Sequence, residues 1–493
     1  MDPTRLTSLY VPTYPPHPNY LPPPPSWLLP PSQPLYTPSL IQYPWNPFYP
    51  IIPPSNVQSS SHSPTPQPTA KQRHRRRQTR RKHATKLTSD TQVLNRSWVN
   101  LSEPSQEDKS ENLSQSSQED NGEVQEFSLL SYNILAQNLM DMHEDLYTHC
   151  DLVYSKWEYR KYYLLEQLID SSADILCLQE VERSAYDSFF CPNLKENNYN
   201  GAYKCRTGHN NDGVAIFFRM DKFELISYKL IEFNRRCPVL DRDNVAIILK
   251  LKLLNSTSST TDDYLYVATS HLIFSPKAGD VKLAQLCTLF AELRELTIQD
   301  KDTHPVVICG DFNFLPNSCL YNFVRTGYLN YKYLCRTEVA GYKRRSSALI
   351  PHPLIPPEIG ISSACKKMHI SDTKFEINDH NSSDITTTIQ EIDKAYVLSH
   401  PYTFHSVYPH SITEPSLVST FHGLAFENVD YIFYSSPELE TDDEGGYKAS
   451  RRLKLVSRYS MPPRMDLKKF GPLPNKFHSS DHLQLISKFC YMR

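Results

Sequence analysis

The chain has 493 residues, 39 prolines, 11 cysteines and a net charge of −2. That length allows two or three domains, yet 21 of the prolines precede residue 70 and every cysteine lies at or after Cys150, so one folded domain behind a long tail is expected. No apolar stretch reaches the roughly 18 residues that span a bilayer, no CxxC pair marks a zinc site, and Met1 to Thr13 carries no apolar signal core.

Residues 1–70 form a Pro/Tyr-rich tail, with Leu21-Pro22-Pro23-Pro24-Pro25 and Tyr43-Pro44-Trp45 as examples. Proline removes backbone donors and favours extended polyproline II, so this tail is expected to be disordered, with proline-recognition domains as candidate partners. Residues 71–86 carry nine Lys or Arg and no acid, a pattern that fits a nuclear localisation signal or an RNA-contacting arm. Residues 87–126 read as a polar, acidic linker.

From Phe127 the pattern changes. Strands are expected at Phe127–Leu135, Ile175–Val181, Val214–Phe218, Asn244–Leu254, Tyr264–Thr269, Pro305–Cys309, Val429–Tyr434, Leu453–Tyr459 and Leu483–Tyr491. Helices are expected at Trp157–Ile169, from Asp280 onward with Leu283, Leu286, Phe290, Leu293 and Leu296 on one stripe, and at Ser318–Val324 before Gly327. Tyr163 to Ile169 also fits a YxxxxLφ partner motif, but its Leu and Ile are expected in the core. Residues 340–400 read as an insertion looping out at the surface. The catalytic domain is placed at 127–493. Unevenly spaced cysteines suit reduced, mostly buried thiols in an intracellular, cytoplasmic and/or nuclear, setting.

Short polar motifs sit at the strand ends. Glu180 closes the uncharged run Ile175-Leu176-Cys177-Leu178, where an acid is costly unless paired or metal-bound. Asn133 offers a neutral oxygen beside a metal, or caps a turn. In Gly310-Asp311-Phe312-Asn313 the acid can take a proton from water and the amide can orient it. Asp430 enters an apolar strand and calls for a histidine partner. His271 suits a non-bridging phosphate oxygen. In Ser480-Asp481-His482 the carboxylate suits a metal and the imidazole a phosphate. Hard oxygen ligands with imidazoles are the equipment of a metal-dependent phosphodiester hydrolase.

These motifs resemble the endonuclease/exonuclease/phosphatase superfamily from about Phe127 to Phe489. Tyr132-Asn133-Ile134-Leu135, Leu176-Cys177-Leu178-Gln179-Glu180 and Gly310-Asp311-Phe312-Asn313 are similar to the nocturnin and carbon-catabolite-repression deadenylase branch. Leu240 to Val245, Gly279 to Leu283, Val429 to Tyr434 and Leu473-Pro474-Asn475 ahead of Ser479 to Leu483 are similar to Angel proteins. The resemblance implies a four-layer α-β-β-α sandwich, an α/β fold. It implies Mg²⁺, with Mn²⁺ as a substitute, held by Glu180 with Asn133 and Asp481. It implies Asp311 as base, Asn313 as positioning group, His271 and His482 on phosphate, and Asp430 orienting a histidine. The activity implied is hydrolysis at RNA 3′ ends, foremost removal of 2′,3′-cyclic phosphate; a monomer is expected. The alternatives are 3′→5′ exoribonuclease action and an inactive RNA-binding scaffold. Thr269, where many relatives have Asn, and Phe314, where a small polar residue is usual, depart from the pattern.

Overall fold

A computed structural model describes residues 94–101, 125–254, 263–300, 303–343, 348–368, 394–410, 417–435 and 451–492. All lie in the second of two units into which the chain divides, His83–Arg493. The proline tail, the basic block at 71–86, residues 102–124 and residues 369–393 of the expected insertion fall outside the described residues.

Two mixed sheets face each other. The first runs in the order Trp98–Asn100, Arg452–Tyr459, Leu485–Met492, Gln125–Asn133, Ile175–Glu182, Asp212–Arg219 and Tyr199–Cys205. The second runs Phe404–Ser406, Asp430–Ser435, Val306–Asp311, Tyr264–His271, Val245–Leu253 and Phe223–Glu232. Each holds one parallel pair at its centre: Gln125–Asn133 with Ile175–Glu182, and Tyr264–His271 with Val306–Asp311.

Two-residue periodicity builds the layers. Phe127, Leu129, Cys177, Val267, Val307, Cys309 and Ile432 point between the sheets and form the central core. Their neighbours Leu130, Tyr132, Leu176 and Leu178 point outward onto Leu164, Leu165 and Leu168 of helix Trp157–Asp170. On the other side Tyr266, Ala268, Ile308 and Phe433 pack on Leu283, Leu286, Phe290 and Leu293 of helix Gly279–Thr297 and on Phe323 of helix Cys319–Thr326. The result is the expected helix–sheet–sheet–helix sandwich. Leu168 is buried as expected of a core helix rather than an exposed partner motif. Ser318 caps Cys319–Thr326 by accepting from the Tyr321 N–H at 3.1 Å, and Gly327 ends it at φ 70°.

Three features differ from the sequence reading. The stretch read as linker contains an edge strand, Trp98–Asn100, paired with Arg452–Tyr459. Arg96 fastens it, donating to the carbonyls of Ser460 and Gln484 at 2.7 Å each, with its guanidinium over Tyr459. So short a strand in polar surroundings has no periodicity to show. Within 340–400, Ile350, Leu354, Cys365 and Leu398 are buried against the second outer layer rather than looping out. Tyr199–Cys205 and Phe223–Glu232 are edge strands, mostly only partly buried, that the sequence reading did not include.

Replacing Arg96 by alanine removes two charge-assisted hydrogen bonds and is expected to cost about 1–3 kcal/mol of stability in chemical denaturation. A linker role would leave the midpoint unchanged.

Candidate active site

The same periodicity that fills the core positions the polar groups. Along the inner faces, Leu129 and Ser131 lead to Asn133; Val267 and Thr269 lead to His271; Val307 and Cys309 lead to Asp311. Asp430 pairs in register with Asp311, and so shares its face. All these ends lie on one edge, at the carboxyl ends of both parallel pairs. Glu180 joins them through a bulge. Gln179 pairs with Val214 and Val181 with Gly213, leaving Glu180 as the extra residue at φ 56°. A non-glycine residue there is strained, and the bulge turns its carboxylate toward the site. Gly310 is required at its position, where φ is 138° and a Cβ would sit 2.0 Å from the Ser270 carbonyl oxygen.

Asn133 Nδ2 donates to Glu180 Oε1 at 2.9 Å and to Asp311 Oδ2 at 3.1 Å. Its oxygen, expected beside a metal, accepts from the Leu135 N–H at 3.0 Å. The amide therefore bridges two carboxylates that would otherwise repel each other. Glu180 Oε2 accepts from the Ala136 N–H at 3.0 Å. Asp311 Oδ1 accepts from the Asn313 N–H at 3.1 Å, while Asn313 Nδ2 donates to the Leu272 carbonyl at 3.1 Å. Asn313 thus fixes the strand-end loops.

His482 Nδ1 lies 2.7 Å from Asp430 Oδ2, which also accepts from Ser419 Oγ at 2.6 Å. Its Nε2 then points toward Asp311 Oδ2 at 3.7 Å and Asp481 Oδ1 at 4.0 Å. His271 Nε2 is 3.5 Å from the same Asp311 oxygen, and its Nδ1 is 3.8 Å from Glu180 Oε1. Asp481 Oδ2 accepts from Tyr147 OH at 2.9 Å.

Burial raises Glu180 to about 7, with Asp481 adding to the rise. Burial and then Asp430 hold Asp311 well above the usual carboxylate range. The two histidines diverge. Burial, with Arg206 and His482, drops His271 to about 3, so it is neutral. Burial opposes charge on His482 as well, but Asp430, Asp481 and Asp311 outweigh it and keep it protonated.

The donor set fits a divalent cation. Four buried acids, Glu180, Asp311, Asp430 and Asp481, share one edge. Asp481 Oδ1 is buried with no hydrogen-bond partner among the described residues. Asp311, Asp430 and His482 also bring ligand atoms within 4.8 Å of one another. The His482–Asp430 bond already occupies that group, so Glu180 and Asp481 are the better oxygen donors.

A model of the endonuclease/exonuclease/phosphatase family matches residues 130–482, which span every residue of this site. The chain belongs to the endonuclease/exonuclease/phosphatase family. Within the family it is similar to Angel proteins: it is 37% identical over 379 residues to Protein angel homolog 2 of Bos taurus, covering 74% of this chain and 69% of the relative. It is 32% identical to Carbon catabolite repressor protein 4 homolog 3 of Arabidopsis thaliana, over 75% of this chain and 76% of that one. A crystal structure of ANGEL2, described as a 2′,3′-cyclic phosphatase in complex with adenosine-2′,3′-vanadate, superposes with a TM-score of 0.65 at 33% identity, over 81% of this chain and 99% of that one.

The departures from the family pattern do structural work. Thr269 Oγ1 accepts from Gln179 Nε2 at 2.9 Å and so ties one sheet to the other. Phe314 is buried and stacks on Tyr431. Four site-shaping residues escaped the sequence reading. Tyr147 left no signal. Ser419 left only a serine inside Leu417 to Phe421. Gln179 was part of a motif without a role. Arg160 was the clearest omission, a cation on the apolar face of its helix, between Trp157 and Leu164. Its guanidinium is fully buried and donates to the carbonyls of Ile134 at 3.2 Å, Leu135 at 2.8 Å and Ser479 at 3.0 Å. It joins the loops carrying Asn133 and Asp481.

Because folding raises Glu180 from its usual value near 4.5 to about 7, the folded state binds the extra proton in that window. Metal-free stability therefore falls as pH rises from about 4.5 to 7. Relative to Glu180→Gln, the wild type is expected to lose on the order of 2–3 kcal/mol across the window, and a saturating divalent cation should remove the difference. Parallel denaturation curves for the two proteins would contradict this.

Proposed function

We propose that the chain is a Mg²⁺-dependent hydrolase that removes 2′,3′-cyclic phosphate from RNA 3′ ends. One observation carries the chemistry: Asn133, His271 and His482 direct nitrogen atoms at a single oxygen of a buried acid whose proton affinity is raised, Asp311. Such a carboxylate binds a proton more readily than a solvated one, as a base for water requires. The likeness to ANGEL2 carries the substrate class.

In this reading Glu180 and Asp481 would hold Mg²⁺, which would supply Lewis-acid polarisation of a phosphoryl oxygen. Asp311 takes the proton of the attacking water. The imidazolium of His482, fixed at Nδ1 by Asp430, offers Nε2–H to the charge that develops on phosphorus oxygens. His271 is neutral and acts as a hydrogen-bonding group rather than a cation. Asn133 and Asn313 hold Asp311 in place. The first attack forms a bond from the water oxygen to phosphorus, breaks one bond between phosphorus and a ribose oxygen and opens the ring, and the freed ribose oxygen takes up a proton as Asp311 gives up the one it took from water. A second attack releases phosphate and leaves both ribose hydroxyls.

The direct test is incubation with Mg²⁺ of three RNAs, ending in 2′,3′-cyclic phosphate, 3′-phosphate or 3′-hydroxyl. The expected result is conversion of the phosphorylated ends at unchanged length. Shortening of all three would establish the exonuclease reading instead, and inertness the scaffold reading. Asp311→Asn and His482→Ala should each lower kcat by roughly 10²–10⁴-fold with RNA binding little changed. Asp430→Asn should be milder, and its combination with His482→Ala less than additive. Full activity in Asp311→Asn would remove it as the base.

A further inference from the structure

Three residues beyond His271 stands Phe274, with 60% of its surface exposed. Scattered exposed apolar side chains are ordinary. This one differs because the backbone around it cannot turn it inward. On its N-terminal side, Leu272 is fully buried, its N–H donates to the Asp311 carbonyl at 3.0 Å and its carbonyl accepts from Asn313 Nδ2. The Ile273 N–H donates to Gln285 Oε1 at 3.2 Å. On the C-terminal side, the Ser275 carbonyl accepts from Lys282 Nζ at 2.6 Å and from the Ala278 N–H at 3.1 Å.

The braces are themselves costly. Lys282 and Gln285 are fully buried on helix Gly279–Thr297. A lysine is almost never so placed without a partner, and the hydrogen bond this one makes is to the loop backbone. Gln285 also donates to Asn244 Oδ1 at 3.2 Å, and Asn244 Nδ2 to the His271 carbonyl at 3.0 Å. One buried polar chain therefore sets both the His271 backbone and the loop that displays Phe274. Among the described residues the Phe274 ring stacks on no other ring. An exposed aromatic face on a braced loop, three residues after a histidine proposed to meet phosphate, offers a nucleobase a surface to stack on, and aromatic stacking accepts every base.

We propose that Phe274 is the stacking platform for the base of the 3′-terminal nucleoside, with Lys282 and Gln285 as positioning residues. The proposal deepens the functional reading above and rests on its RNA 3′ end. The enzyme should then tolerate any terminal base but not the loss of one.

The test is equilibrium binding in EDTA, where turnover is stopped, of two short fluorescein-labelled RNAs ending in 2′,3′-cyclic phosphate. One carries a base at the terminal ribose and the other is abasic there. Phe274→Ala is expected to weaken the first RNA by about 5- to 150-fold, to leave the abasic RNA unchanged, and to be rescued by Phe274→Trp. Equal affinity of wild type and Phe274→Ala for the base-bearing RNA would overturn the proposal. So would an equal loss for the abasic RNA, since Phe274 would then serve only the loop. Wild-type turnover of the same RNAs with Mg²⁺ is scored separately. Its absence alongside an intact binding difference would count against the cyclic phosphatase reading and leave the stacking role standing.

Discussion

Repulsion among buried carboxylates is the constraint around which this domain is arranged. Glu180, Asp311, Asp430 and Asp481 are drawn from both sheets to one edge, where each has lost most of its water. Keeping them together requires compensation. His482 supplies it to Asp430 at 2.7 Å, the Asn133 amide supplies two N–H groups to Glu180 and Asp311, and Tyr147 supplies a hydroxyl to Asp481. Arg160 supplies a buried positive charge while bonding the backbone of both neighbouring loops. The compensation is incomplete at Asp481 Oδ1 and Glu180, and there a hard cation fits.

The sandwich makes this convergence possible with little machinery. Two central parallel pairs end at the same edge, and strict alternation carries the inner apolar stripes into polar ends. The bulge at Glu180, a break in alternation at the site's edge, adds an acid that the regular pattern would have sent elsewhere. The Gln179–Thr269 bond then fixes the two sheets to each other just below the site. The helix Gly279–Thr297 contributes from behind, where Lys282 and Gln285 shape the loop after His271.

The central strands were legible in the sequence, and so were the positions proposed for the site, most of them because an acid, amide or imidazole interrupts or ends an apolar run, and Asp481 and His482 because they precede the last strand. The amphipathic helices at Trp157 and Gly279 were legible for the same periodic reason. What stayed hidden has a common cause, namely that pairing rather than pattern defines it. Trp98–Asn100 exists only through Arg452–Tyr459 and Arg96. Ile350, Leu354 and Cys365 lie in short apolar stretches too brief to show a period, and their burial depends on a distant helix. The hydroxyls of Ser419 and Tyr147 gain roles only through partners 11 and 334 residues away. The orientation of the Asn133 amide follows from the charges around it, which no local spacing reveals.

Both sheets meet at one edge, where Glu180 of the first sheet and Asp481, ahead of its strand Leu485–Met492, are proposed to hold one divalent cation beside the base Asp311 of the second. A crystal soaked in Mn²⁺ and measured at the manganese edge tests this central claim most directly. The account predicts one anomalous peak at coordination distance, about 2.1 Å, from Glu180 and Asp481 oxygens. A peak among Asp311, Asp430 and His482 instead, or none at this edge, would contradict it.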